Sequence, residues 1–368
     1  MAIRFVLPEQ EAESVAFAYS PVVEAVLSLH VLVAPKHHPL QHAWVRRMRA
    51  LEPALRGEIR SFAFAYRDHF PDFLFPRPDE EFLDFEDELA RLHELDGETI
   101  AFEFLRPLYD HEGLWPRPHA LLEREDVRAH VLERARRIAG DGGAELAGLV
   151  FHDPPQLGRR FAGLLERYWT EAFAAEWRRI EPLLVASVED AGSRLPTQGV
   201  LGLLSDHLPR LQIDAGRRQV WIRIPHEHEL AVSPEEPLVL SPSVFVWPHV
   251  RVNCDPPFPV GLIYPAQAML DEAAPKLPPD ELLRLLRALG DETRLRALAL
   301  IAERPRSTQE LAPLLGLTDA GLSRHLRILA DAGLVQTRRE GYYVLYSLVP
   351  ERMRPLSAAL LAFVRSGD

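Results

Sequence analysis

Between Thr318 and Ile328 the chain carries Ala320, Ser323, Arg324 and Arg327. A guanidinium pairs bidentately with a guanine edge or a phosphate. A serine hydroxyl reaches either, and an alanine methyl packs on the methyl of thymine. Helical spacing decides whether these groups act together. With Leu322 at zero and about 100° per residue, Leu326 falls near 40° and Leu329 near 340°, a narrow apolar stripe. Ala320, Arg324 and Arg327 then fall at about 160°, 200° and 140°, with Ser323 lateral at about 100°. His325, at about 300°, belongs nearer the protein body. The chemistry on offer is that of a rod laid in the major groove of a duplex. Arg338 and Arg339, ahead of Gly341 and Tyr342, read as a hairpin tip whose cations reach backbone phosphates or a minor groove. Thr308, Gln309 and Tyr342 are expected on the phosphate backbone, and Thr318 joins them at the start of the rod.

These groups need a scaffold, and the flanking residues supply one. Leu282, Leu285, Leu286 and Leu289 form a helix stripe that stops at Gly290. Residues 292–302 continue as a second helix, with Leu295, Leu298 and Ile301 expected inward. Ser307 and Glu310 stand at capping-box spacing, so each satisfies a free backbone amide of the other. Pro313 shortens or kinks that helix, Gly316 closes it, and Thr318 caps the next. Residues 334–338 and 342–346, with a turn over 339–341, complete a two-stranded wing. Asp319 and Gly321 are unusual at a reading end: one repels phosphate, the other weakens the helix by about 1 kcal/mol relative to alanine.

Upstream, the first ~200 residues read as mostly helical by their apolar periodicity. Pro21 to Val33 is nearly all apolar. Trp44, Met48, Leu51, Leu55 and Ile59 share a face that Pro53 should break. Pro78 followed by Asp79, Glu80 and Glu81 reads as a helix start leading to Phe82, Phe85, Leu89 and Leu92. Residues 125–139 are amphipathic, and residues 154–195 form the longest candidate, interrupted at Pro182. Residues 211–224 then alternate as a hairpin, and 238–240, 244–247 and 260–264 are short β-rich runs, together implying a small antiparallel sheet. Residues 271–279, with three prolines, read as a linker.

Composition sorts the partners. The formal charge is −12, yet residues 277–368 hold 13 basic and 11 acidic side chains. Of the 42 basic and 54 acidic residues in the chain, 29 and 43 lie upstream, so the acid is concentrated there. A nucleic-acid reader needs a basic face, not a basic whole. An acidic upstream domain disfavours an anionic ligand unless a local pocket overrides it. The single cysteine, Cys254, excludes an internal disulfide and favours a reducing compartment. No secretory leader and no membrane span is expected.

Other candidate chemistry is read as structural. His30, His37, His38 and His42 invite a metal, but histidines beside Pro35 and Pro39 are ordinarily surface polar residues. His226 and His228 on a strand face would lack a third ligand. Cys254 has only Arg251 near it in sequence to activate it. Tyr168, Phe173 and Trp177 read as core. There is no glycine-rich phosphate loop, nucleophile elbow or carboxylate pair, so no catalytic residue is assigned.

Residues 289–294 (LGDETR), 310–312 (ELA), 323–326 (SRHL), Leu329, 332–335 (AGLV) and the hairpin from Arg338 to Tyr346 resemble the ArsR family of winged-helix transcriptional regulators. The resemblance covers about the last quarter of the chain. It implies a homodimer paired through 282–289 and 353–364, where Leu356, Leu360 and Phe363 recur, and a palindromic double-stranded operator. The family's metal sensors carry cysteines where Ser307 and Gln309 stand here, or Asp and His in the last helix, which 353–364 lacks. No metal and no cofactor is therefore expected. The stretches around 20–30 and 240–250 resemble the uncharacterised helical domain that precedes this module in some relatives.

The expectation for the whole chain is an α+β protein. A mostly helical domain, 1–270, ends in a small antiparallel sheet; a linker spans 271–279; a winged helix-turn-helix occupies 280–368. It is read as a cytoplasmic, non-enzymatic, DNA-binding regulator, a repressor, whose upstream domain receives a small-molecule effector. The alternatives are an upstream protein-docking or oligomerisation platform, or an enzyme with a regulatory wing.

Overall fold

Helix α1, Pro21–Val33, is buried from Pro21 through Val31. A helix apolar on every side is stable only inside a core, and other helices surround this one. Its start is fixed by Ser20, whose Oγ accepts from the Val23 amide at 2.9 Å. Glu88 Oε2 takes the Ser20 hydroxyl and the Val22 amide, at 2.5 and 3.0 Å. The structure, a computed structural model, describes residues 2–6, 14–77, 83–109, 121–207, 212–214, 219–223, 228–231, 236–253, 258–273, 278–353, 356 and 359–360. It separates into two units, Met1–Glu272 and Ala273–Asp368.

In the first unit α1 is followed by α2 (His42–Arg47), α3 (Pro53–Ser61), α4 (Ala63–Tyr66), α5 (Phe85–Glu94) and α6 (Gly97–Leu105). Then come α7 (Glu125–Gly148), α8 (Pro154–Tyr168) and α9 (Ala174–His207). Pro53 starts α3 rather than kinking a longer helix, as its missing amide allows at a first turn. The helix expected from Pro78 begins at Phe85, capped by Asp84 through the Asp87 amide at 2.9 Å. Residues 78–82 lie outside the described residues. A π-turn, Trp169–Phe173, joins α8 to α9. Tyr168, Phe173 and Trp177 sit in the main core with Leu27, Leu29, Phe161 and Phe245. Tyr168 also shares a 2.7 Å hydrogen bond with Ser28.

Two four-stranded sheets complete the unit. Strands β1 (Ala2–Val6), β2 (Val15–Phe17), β3 (Gln212–Asp214), β4 (Gln219–Arg223), β5 (His228–Ala231), β6 (Leu238–Ser243), β7 (Arg251–Asn253) and β8 (Gly261–Pro265) order as β3-β4-β1-β5 and β2-β6-β8-β7. The hairpin read at 211–224 is β3 with β4, antiparallel. The rest departs from a purely antiparallel sheet. β1 runs parallel to β5, and β2, β6 and β8 are mutually parallel. The strands supplied from the N-terminus, β1 and β2, create two of the parallel pairs, and β6 with β8 makes the third. Residues 244–247 form a turn, not a strand. A second core, with Val200, Leu204, Leu238, Leu240, Leu262 and Tyr264, underlies the second sheet. Helix α10, Gln267–Ala273, runs into the stretch read as a linker, of which residues 274–277 are not described. Among the described residues no helix is long and apolar enough to cross a membrane.

The second unit runs α11 (Pro279–Leu289), α12 (Glu292–Glu303), β9 (Arg306–Ser307), α13 (Thr308–Leu315), α14 (Asp319–Asp331), β10 (Val335–Glu340), β11 (Tyr343–Leu348) and α15 (Pro350–Met353). Its core unites Leu285, Ala297, Leu298, Ile301, Leu311, Leu322, Leu326, Leu329 and Leu334. Leu295, expected inward, is 50% exposed; Ala297 takes its place in the core. The wing gains a third strand, because β9 pairs with β11 through Ser307–Leu345 and Arg306–Tyr346. The chain is an α+β protein whose mostly helical N-terminal unit precedes a winged helix-turn-helix.

Candidate nucleic-acid interface

The corner between α11 and α12 is locked by side chains. Asp291 caps α12 by accepting from the Arg294 amide at 2.9 Å. Arg294 turns back and donates to the Ala288 carbonyl and, at 2.9 Å, to the Arg287 carbonyl, closing the last turn of α11. His325 of α14 approaches the same Asp291, Nδ1 to Oδ1 3.3 Å, so it faces the protein body. The Arg294 amide is the main cause holding the Asp291 carboxyl below its usual range.

The capping box of α13 is complete. The Ser307 amide donates to Glu310 Oε2 at 2.8 Å and the Glu310 amide to Ser307 Oγ at 3.2 Å. Arg304 adds an ion pair to Glu310 at 2.9 Å. The Ser307 amide, and then Arg304, hold the Glu310 carboxyl below its ordinary range. Pro313 is accommodated in a helix of only eight residues. Gly316 closes it at φ 68°, a left-handed conformation that penalises any side chain with a Cβ. Thr318 then accepts from the Gly321 amide at 3.2 Å and opens α14.

Helix α14 is two-faced. Leu322, Leu326 and Leu329 are fully buried. Ala320, Arg324 and Arg327 are exposed and Ser323 is half-buried beside them. Gln309 and Thr318 are exposed, and Thr308, at the first turn of α13, is half-buried. In the wing, β10 continues through Glu340 and the turn is Gly341–Tyr342, not 339–341. Gly341 adopts φ 60° and Tyr342 is 97% exposed. Arg338 and Arg339 therefore lie within a strand, opposite Leu345 and Val344, and point to opposite faces. Arg338 is paired with Glu340. Arg324, Arg327 and Arg339 have no carboxylate partner among the described residues. The arrangement is a rod with two free guanidinium groups and a ribbon with a third, a surface suited to phosphates and base edges.

Residues 291–337 match the family profile described as bacterial regulatory protein, arsR family. Over 89 residues the chain is 37% identical to the HTH-type transcriptional regulator KmtR of Mycobacterium tuberculosis, covering 23% of this chain and 68% of that protein. The chain belongs to the ArsR family. This ArsR-family regulator is DNA-binding by kinship, and its module carries the winged helix described above. It is 37% identical over 78 residues to a Streptomyces lividans protein named probable mercury resistance operon repressor, covering 21% of this chain and 62% of that one, less than two thirds of its length. An ArsR-like transcriptional regulator from Rhodococcus sp. RHA1 aligns in three dimensions at 25% identity and TM-score 0.22, over 24% of this chain and 82% of that one. Residues 1–269 match DUF5937, a family of unknown function.

The two faces of α14 follow from the spacing of its leucines, whereas the Asp291–Arg294–His325 junction does not. Its signal was present: an aspartate at a cap position with an arginine three residues on. Residues 226–227 and Cys254 lie outside the described residues.

Proposed function

We propose that this regulator is a homodimeric repressor that places one α14 helix per subunit in successive major grooves of a palindromic operator. Arg324 and Arg327 read base edges, flanked by Ala320 and Ser323. Thr308, Gln309, Thr318, Arg339 and Tyr342 hold the backbone, and Arg338 joins them once released from Glu340. The observation that carries this reading is the outward face of α14, where two guanidinium groups stand exposed and unpaired opposite a fully buried leucine stripe. Repression is favoured by the relative named a repressor.

Dimerisation through 282–289 and 353–364 is supported by exposed apolar side chains in both segments, although 354–355, 357–358 and 361–364, with Phe363, lie outside the described residues. Leu283 and Leu286 are 45% and 37% exposed, and Met353 and Leu360 are 36% and 42% exposed. Such surface is stabilised by covering it, and a second copy presents the same surface. The upstream unit is assigned a sensing rather than catalytic role, in the cytoplasm. An effector acts by favouring one of two spacings of the reading helices, for which a differential affinity of about 1–3 kcal/mol suffices. Selection from a random duplex pool by the full chain tests the reading. The expected product is a palindrome with half-sites about 10 base pairs apart. No association with any duplex at low salt would overturn it.

A further inference from the structure

In the upstream unit, polar side chains gather where α1, the turn after it and strand β7 meet. His30 on α1, His38 beyond its end and His249 ahead of β7 bring their rings together. Centroids lie 4.9 Å apart for His30–His38, 5.3 Å for His38–His249 and 6.5 Å for His30–His249. His37, exposed, stands 6.2 Å from His249 at the rim.

Two of the rings have fixed tautomers. A backbone carbonyl can only accept, so His30 Nδ1–H donates to Tyr66 O at 2.9 Å and His38 Nδ1–H to Trp247 O at 2.8 Å. Both Nε2 atoms are therefore unprotonated acceptors. That of His38 is shut off from solvent without a partner among the described residues, and that of His30 faces Arg251 Nη2 at 3.4 Å. This long contact is the sole hydrogen bond of Arg251 among the described residues, and its Nε is cut off from solvent with no partner. No carboxylate lies within ion-pair distance of Arg251 among the described residues. Burial lowers the Arg251 pKa. Burial, and then Arg251, push His30 down to about 3. Asp68 acts on this guanidinium only from beyond ion-pair distance, and a largely buried cation so placed is costly unless something else pairs with it.

We propose that this cluster binds the phosphate group of a small molecule, held by Arg251 and by the Nε2 atoms of His30 and His38. A guanidinium fork demands acceptor oxygens, whereas unprotonated imidazole nitrogens demand donors, which His38 Nε2 lacks and His30 Nε2 has only in the long Arg251 contact. A carboxylate offers acceptors only, and so does sulfate near neutral pH. A protonated phosphate offers both, P–O⁻ toward Arg251 and P–OH toward the imidazoles. A metal dication would meet the same unprotonated nitrogens but also the adjacent guanidinium, which repels it. The neighbouring group of His69, Asp72 and Glu103 is compensated internally. Arg106 pairs with Asp72 and lies 3.6 Å from Glu103 Oε1. The site overrides the acidity of its unit because its cation is local and desolvated.

As an effector site it rests on the sensing role proposed above; phosphate binding itself does not. The groups facing it are His30, His37, His38, His249 and Arg251, with Asp68 and His69 from the loop after α4. Burial holds the His30 and His38 imidazoles below their usual range, so they stay acceptors, while falling pH raises the protonated fraction of phosphate; affinity therefore rises from pH 8 to pH 6.

Calorimetric titration of the full chain in phosphate-free buffer tests the site with inorganic phosphate, glycerol phosphate, sulfate and acetate. Saturable binding of phosphate is expected, about tenfold or more tighter than sulfate or acetate. Glycerol phosphate binding as tightly or more tightly assigns the site to a phosphomonoester; weaker binding assigns it to the free ion. Arg251→Met should abolish binding, and its melting temperature without phosphate should not fall, since the variant removes an unpaired cation. Phosphate should raise the melting temperature of the wild type alone. No saturable phosphate binding, equal affinity for sulfate, retained binding in Arg251→Met, or a stoichiometric zinc lost in His38→Gln would each overturn the site. In a parallel arm, phosphate that binds without changing operator affinity leaves the site standing and refutes the sensing role.

Discussion

Replacing Arg339 by alanine should weaken binding to every duplex alike and flatten its dependence on salt. The register of the wing sets the size of the effect. Arg338 and Arg339 are consecutive in β10, opposite Leu345 and Val344, so only one of them can face a given phosphate rail. Arg338 is already paired with Glu340, two residues on and on its own face. Arg339 makes only a 3.3 Å contact to the Gly341 carbonyl, with no carboxylate partner among the described residues. Each neutralised phosphate contributes about 0.9 to the slope of log affinity against log salt. A dimer losing one contact per subunit should lose about 1.8, so between 50 and 200 mM salt the wild type should fall about 12-fold more than the variant. Arg338→Ala should move the slope by less than half as much, because Glu340 already screens that charge. Fluorescence anisotropy of a labelled operator over a salt series reads both slopes. An unchanged slope for Arg339→Ala, or a larger change for Arg338→Ala, would refute the reasoning.

Other outcomes follow from the same geometry. Arg324→Ala should cost about 1–3 kcal/mol on the preferred operator and relax preference at one base position; competition with single-base operator variants would expose unaltered specificity as a failure of the groove assignment. Leu286→Glu should dissociate the dimer without unfolding the subunit, since the side chain is 37% exposed; sedimentation at unchanged mass would contradict the interface. Glu24 is buried, its Oε1 has no partner among the described residues and its pKa is pushed up to about 7, burial being the largest cause. A carboxyl raised on folding stabilises below its unfolded pKa, and that contribution disappears as pH climbs through about 7. Glu24→Gln should therefore be the more stable chain at pH 8, by on the order of 2–3 kcal/mol. Urea titrations at pH 5 and 8 that show no pH-dependent gain would argue against it.

The second unit was legible because its signals are local. Caps, a glycine closure and a leucine stripe lie within a few residues of what they control, and Ser307, Gly316, Thr318 and Leu322 take the expected conformations. Leu295 was misplaced because α12 turns Ala297, Leu298 and Ile301 inward. At 100° per residue Leu295 stands about 120° from Ile301, off the buried stripe. The upstream sheets were read as antiparallel because adjacent strands in sequence suggest hairpins. Two of their parallel pairs are made by β1 and β2, more than two hundred residues from their partners, and the third, β6 with β8, skips over β7, which lies between them in sequence. Distance in sequence also concealed the histidine cluster. His42 was grouped with His30 by proximity, whereas His249 and Arg251 join it only through the fold.

The Asp291 carboxylate connects three helices at once: it starts α12, steadies the Arg294 that clasps the end of α11, and meets His325 on α14. The segment that would face a twin subunit and the segment that would face a base pair thus share one hinge pin. A slight tilt of the former cannot be absorbed by slack between them and swings the latter. On the proposed dimer, a signal arriving at the subunit seam would need no further transmission to change the pitch at which the arginines meet a helix of base pairs.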